Sequence, residues 1–162
     1  MQLYKKYLAK AEFDSLDDFL KNFKIVVPEN FNFAYDVVDE YARIEPNKIA
    51  LVWCNDEGQS HNFTYAEMKE KTDAAASYFQ TIGVGHGDKV MLILKRRCEF
   101  WFAVLALHKI GAVAIPATHL LTDKDIIFRS NAATIKAIIT VGEDIVIEHV
   151  DKALPQCPSV EK

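Results

Sequence analysis

The sequence predicts an α/β fold: a parallel-sheet, layered α/β subdomain with helices on both faces, preceded by a short helical N-terminal segment. Three observations carry this prediction. From Thr64 onward, β-rich runs alternate with helix-periodic ones over short links, the pattern of successive strand–helix–strand units. The runs Val90-Met-Leu-Ile-Leu94, Ala112-Val-Ala-Ile115 and Ala137-Ile-Ile-Thr-Val141 are almost wholly apolar, as strands covered on both faces must be. Several helices between them open on recognisable caps.

Taken in order, Ser15 with Asp18 resembles a capping box. Leu16, Phe19, Leu20 and Phe23 then recur at helical spacing, so 15–24 reads as a short amphipathic helix with a face to dock. A second helix spans about 33–45, with Ala34, Val37, Val38 and Tyr41 on one face and Pro46 ending it. Residues 49–54 form a strand closed by a turn at 55–58, and 60–63 returns as a hairpin partner. Thr64 and Glu67 make a capping box, and Phe63 with Met68 makes the hydrophobic staple. Met68, Ala75, Phe79 and Ile82 form the buried stripe of a helix that Gly83 ends. A strand at 89–94, a mostly apolar helix at 99–110 and a strand at 112–115 follow, the last stopping at Pro116. Thr122 and Asp125 cap the next helix, with Leu121 and Ile126 as its staple. A strand at 136–141 and a helix at 143–154 complete the pattern, the acidic start of that helix suiting its dipole. Crossovers are expected to be right-handed. Trp53, Phe100, Trp101 and Phe102 read as core. The domain organisation expected is a helical extension over 1–32 and an incomplete α/β subdomain over 33–162.

Composition narrows the function classes. Half the residues are hydrophobic and 26% charged, an ordinary globular balance. A net charge of -4 argues against nucleic acid as a partner, because affinity for phosphate backbones needs a dense cationic surface. Cys54, Cys98 and Cys157 are scattered and odd in number, which suggests reduced thiols and a cytoplasmic address. The N-terminus carries Lys5, Lys6, Lys10, Glu12 and Asp14 without an unbroken apolar stretch, so no signal peptide is expected. The most apolar stretch, 100–107, runs straight into His108 and Lys109, too short for a membrane span.

Motifs that carry chemistry are mostly missing. Gly83-Val-Gly-His-Gly-Asp88 follows a helix and precedes a strand, whereas a phosphate-binding glycine loop follows a strand and opens a helix; it reads as a connector. There is no Walker A loop, no G-x-S-x-G elbow and no histidine or cysteine pairing at metal spacing. Asp123 and Asp125 read as dipole and cap partners. No catalytic or metal-binding residue is assigned. Lys95-Arg96-Arg97 is the exception: it falls at the carboxyl end of a parallel strand, where open α/β sheets bind ligands. Guanidinium forks there suit a phosphate or carboxylate. The alternative is a solvated rim, or an ion pair with Glu99 or a neighbouring domain. Thr118 and His119 lie on the same edge after the next strand. Arg96, Arg97 and His119 are therefore the candidate binding residues.

Three stretches taken together resemble the AMP-forming acyl-CoA synthetases of the adenylate-forming ligase superfamily. They are Phe63-Thr-Tyr-Ala-Glu-Met68, Gly83-Val-Gly-His-Gly-Asp-Lys-Val90 and Leu107-His-Lys-Ile-Gly-Ala-Val-Ala-Ile-Pro-Ala-Thr118. Leu121-Thr-Asp-Lys-Asp-Ile126 with Arg129, then Lys136-Ala-Ile-Ile-Thr140, continue in that family's order. Leu94-Lys-Arg-Arg-Cys-Glu-Phe-Trp101 is most similar to the acetyl- to medium-chain type. The resemblance implies a two-step ligation using ATP, Mg²⁺ and CoA. A small carboxylate forms an acyl-adenylate with release of pyrophosphate, and CoA then takes the acyl group. In that family the phosphate loop and catalytic lysine lie downstream of the segment matched. The resemblance therefore implies an N-terminal part, inactive alone and binding no cofactor tightly. Its partner would be the remainder of the synthetase chain, with self-association through an exposed domain face. Two other readings stay open: a non-catalytic nucleotide- or CoA-binding module using the Arg96/Arg97 edge, and an interaction module docking through its early helices.

Overall fold

The computed structural model describes residues 2–162. Helix α1 (Leu16–Asn22) starts where the Ser15 hydroxyl accepts the Asp18 N–H at 3.1 Å. Only half of the expected capping box forms. The Asp18 carboxylate turns instead to Lys10 at 2.6 Å, to the Asp14 N–H and to the Asn22 amide. These bonds, that of Lys10 foremost, hold its pKa down to about 2. Phe13, Phe19 and Phe23 cluster on one side, while Leu16 and Leu20 stay 71% and 70% exposed.

The expected second helix is present but wound in two ways. Ala34–Asp39 is π-helical, the Glu40 N–H reaching back five residues to the Tyr35 carbonyl, and α2 (Glu40–Ile44) then takes ordinary α geometry. Strands β1 (Ile49–Cys54) and β2 (Ser60–Thr64) pair antiparallel across a turn in which Asn55 Oδ1 accepts the Glu57 and Gln59 N–H groups.

Helix α3 (Tyr65–Thr81) carries the full capping box: Thr64 Oγ1 accepts the Glu67 N–H, and Glu67 accepts the Thr64 N–H at 2.8 Å. Phe63 and Met68, the expected staple, are buried together with Ala34, Val38 and Leu105. The buried stripe runs Met68, Thr72, Ala76, Phe79, in steps of four and three; Ala75 and Ile82 lie at its margin.

Strands β3 (Lys89–Ile93), β4 (Val113–Pro116) and β5 (Ala137–Thr140) form a parallel sheet in the order β4-β3-β5. Helix α4 (Glu99–Lys109) joins β3 to β4, α5 (Asp123–Ala133) joins β4 to β5, and α6 (Asp144–Ala153) follows β5. The order reverses at β3, so right-handed crossovers put α4 and α5 on opposite faces. The helices pack accordingly, α3 on α4 and α5 on α6. Central β3 is buried from Val90 through Ile93, and each of its larger side chains contributes roughly 1.5–3 kcal/mol of burial free energy.

The reading of four aromatic residues as core requires correction. Trp101 is 50% exposed, and Trp53, Phe100 and Phe102 are only partly buried. The arc of α4 facing the core is occupied by Ala103, Ala106 and Leu107, and Trp101 falls outside it. Conversely, Lys109 is enclosed, its side chain 1% exposed, with Asp39 at 2.8 Å and Asp73 at 2.6 Å from Nζ.

Candidate ligand-binding cleft

Since β4 and β5 lie on opposite sides of β3, the loops leaving β3 and β5 diverge and open a crevice at the carboxyl edge of the sheet. The loop after β3 turns at Lys95, whose φ of 52° is left-handed, and the Arg97 N–H closes the turn on the Leu94 carbonyl at 3.1 Å. Across the crevice, Lys95 forms a short ion pair with Glu143 from the loop after β5. The Lys95 bond holds the Glu143 carboxyl below its ordinary range against some desolvation, with the charges of Lys95, Arg97 and His119 adding to it.

Arg96, Arg97 and His119 line one cleft of about 500 Å³, with Trp53, Cys54 and Glu143 and the hairpin turn residues Asp56 and Glu57. A smaller hollow of about 370 Å³ continues between Leu94, Arg97 and Gly142. All three candidates proposed from the sequence thus face a single space. Glu99 does not pair with either arginine: among the described residues the only arginine ion pair is Arg43–Glu40. Two guanidinium forks without a direct ion pair in a concave site suit a phosphate or carboxylate group, although Asp56, Glu57 and Glu143 share the lining. Thr118 is occupied locally, its hydroxyl accepting the Leu120 N–H at 3.3 Å. Burial pushes the nearby Cys98 thiol up, and its bond to Glu99 adds to that, so it rests as a thiol.

The glycine loop lies at the other edge of the sheet, before β3. Gly83 and Gly87 have φ of 86° and 80°, and Asp88 accepts the Gly85 N–H at 2.8 Å while pairing with Lys136 at 2.9 Å. Asp125 serves in the capping box with Thr122. Sequence reasoning missed Trp53, which supplies a wall of the cleft, and the Lys95–Glu143 tie. A tryptophan next to the end of a hairpin strand was the available signal for the first; nothing local marked the second. Among the described residues there is no group of three or more histidine, cysteine or acidic side chains able to hold a metal ion, and no helix long and apolar enough to cross a membrane.

A three-stranded parallel sheet wound in both directions, with a cationic loop at the reversal, defines an open, doubly wound α/β domain. Residues 38–162 match the family described as AMP-binding enzyme, and the chain belongs to that family. It is 37% identical over 141 residues to the mitochondrial acyl-coenzyme A synthetase ACSM5 of Rattus norvegicus, covering 83% of this chain and 24% of the relative. Against the mitochondrial acyl-coenzyme A synthetase ACSM1 of Homo sapiens the identity is 37% over 142 residues, with the same coverage of 83% and 24%. A solved benzoate CoA ligase from Burkholderia xenovorans LB400 superposes with a TM-score of 0.65 and 26% identity, over 77% of this chain and 24% of the ligase. The chain thus spans about a quarter of the length of the relatives it matches.

Proposed function

We propose that this chain is the N-terminal part of an acyl-CoA synthetase. The whole enzyme would activate a short- or medium-chain carboxylate with ATP and Mg²⁺ to an acyl-adenylate, then transfer the acyl group to CoA. The observation that carries the reading is the family match over 38–162, joined to similarity with much longer acyl-coenzyme A synthetases, of which the match covers 24%. Among the described residues no group of three or more histidine, cysteine or acidic side chains is placed to hold a metal ion, and no role toward Mg²⁺ is assigned to them. No chemical step is assigned to them. The 162-residue protein is therefore expected to show no ATP–pyrophosphate exchange with acetate, butyrate or octanoate, and measurable exchange would overturn the proposal.

Within that enzyme, Arg96, Arg97 and His119 are proposed to receive an anionic group of CoA or of a nucleotide at the cleft. Calorimetry with CoA and AMP tests this; no heat with either removes it. The partner of the segment is proposed to be the remainder of the synthetase, and residues 1–32 an extension to the 33–162 unit. Exposed Leu16, Leu20, Leu120 and Phe128 favour self-association of the isolated chain, which sedimentation velocity would detect. The free cysteines support a reducing, cytoplasmic location, whereas the mammalian relatives carry mitochondrial names; fractionation of the tagged protein decides between them.

A further inference from the structure

Trp53 stands in β1 opposite His61, and its indole Nε1–H donates to the Arg96 carbonyl at 2.9 Å. This bond joins the hairpin to the loop after β3. The carbonyl it holds comes immediately after Lys95, a non-glycine residue with φ of 52°, a conformation that costs free energy unless its surroundings impose it. Two other ties hold the loop: the Leu94–Arg97 turn bond and the Lys95–Glu143 ion pair. Neither reaches the Arg96 carbonyl. The peptide plane between Arg96 and Arg97 is gripped from both sides, its N–H by Leu94 and its C=O by Trp53. The orientation of that plane sets the directions in which the two arginine side chains leave the backbone.

We propose that Trp53 is a positioning residue for the anion cleft, its indole N–H clamping the Arg96–Arg97 peptide so that both guanidiniums face the same space. This rests on the cleft being an anion site, and extends that site to the β1–β2 hairpin. Without the bond, the loop relaxes toward ordinary backbone geometry and the two forks spread over more directions. Binding then suffers even though no group touching the ligand has been removed.

The test uses Trp53→Phe, which keeps an aromatic ring and deletes the donor. Calorimetric affinity of the 162-residue protein for CoA is expected to fall about fivefold, the worth of one well-placed hydrogen bond. In a double-mutant cycle, Trp53→Phe should cost nothing further in a protein already carrying Arg96→Gln and Arg97→Gln, because it acts through them. Unchanged affinity in Trp53→Phe, or a loss that simply adds to that of the arginine variant, overturns the positioning role and leaves the cleft standing. Absence of any CoA binding by the wild-type chain removes both. A measurement independent of ligand and of the variant's folding is hydrogen exchange at the indole in Trp101→Phe protein, where Trp53 is the sole tryptophan. A slowly exchanging Nε1–H is expected, and rapid exchange overturns the clamp.

Discussion

Gly111 lies under the His86 ring with φ of 70°, and a methyl group there would come 2.6 Å from His86 Cδ2. Backbone conformation and space both demand glycine, so Gly111→Ala should lower stability by about 2–3 kcal/mol in urea unfolding. Adding His86→Ala should recover the steric part alone and leave the cost of the left-handed backbone. Lys109 is the other residue whose surroundings are decided at a distance. Asp39 Oδ1 lies 2.8 Å from its ammonium without hydrogen-bonding geometry, so that contact is ionic; Asp73 makes a hydrogen bond at 2.6 Å, and the Tyr35 ring lies 5.6 Å away. Lys109→Met would leave the enclosed Asp39 carboxylate without its cation, and the expected loss is about 3 kcal/mol. Urea titration of that variant checks it. Neither requirement could be read from neighbours in the chain. The glycine was visible as a residue type, whereas His86 and Asp39 meet their partners only after folding.

Among elements, the capped helices were the most legible. Thr64 with Glu67 and Thr122 with Asp125 close both halves of their boxes, since such bonds span only three residues. Helix α1 departs from that pattern because Lys10 and Asn22 outcompete its own N-terminus for Asp18. A carboxyl whose pKa is depressed on folding takes up its proton only in stronger acid than in the unfolded chain. Its stabilisation is complete above the ordinary value of 3.8 and is lost as the pH falls toward about 2. The α1 segment should therefore loosen across that range, ahead of the main sheet. NMR chemical shifts of residues 14–24 against those of β3 would report it, and Asp18→Asn should abolish the difference. The π-helical winding of Ala34–Asp39 was not legible, because an apolar stripe at helical spacing fits either winding until packing selects one.

At the scale of the whole molecule, two apolar clusters share one set of helices. Leu105 of α4 packs with the hairpin, Phe63 and Met68, while Ala103, Ala106 and Leu107 of the same helix pack with the sheet. Neither cluster can come apart without exposing α4. Urea unfolding should therefore be a single transition, with tryptophan fluorescence, reporting on Trp53 and Trp101, coincident with far-UV circular dichroism. Two separated transitions would show the hairpin region unfolding by itself.

Element order, caps, staples and the apolar character of the strands were determined by the sequence alone, because each depends on groups a few residues apart. So was the place of Lys95-Arg96-Arg97 after a strand, and of His119 after the next. Only the tertiary structure decided that β5 returns to the far side of β3, since strand pairing is a contest among distant segments that periodicity does not rank. That choice of neighbour brings Glu143 to Lys95, while the pairing of β4 with β3 sets His119 in the same cleft as the arginines and a remote hairpin brings the indole that holds the loop.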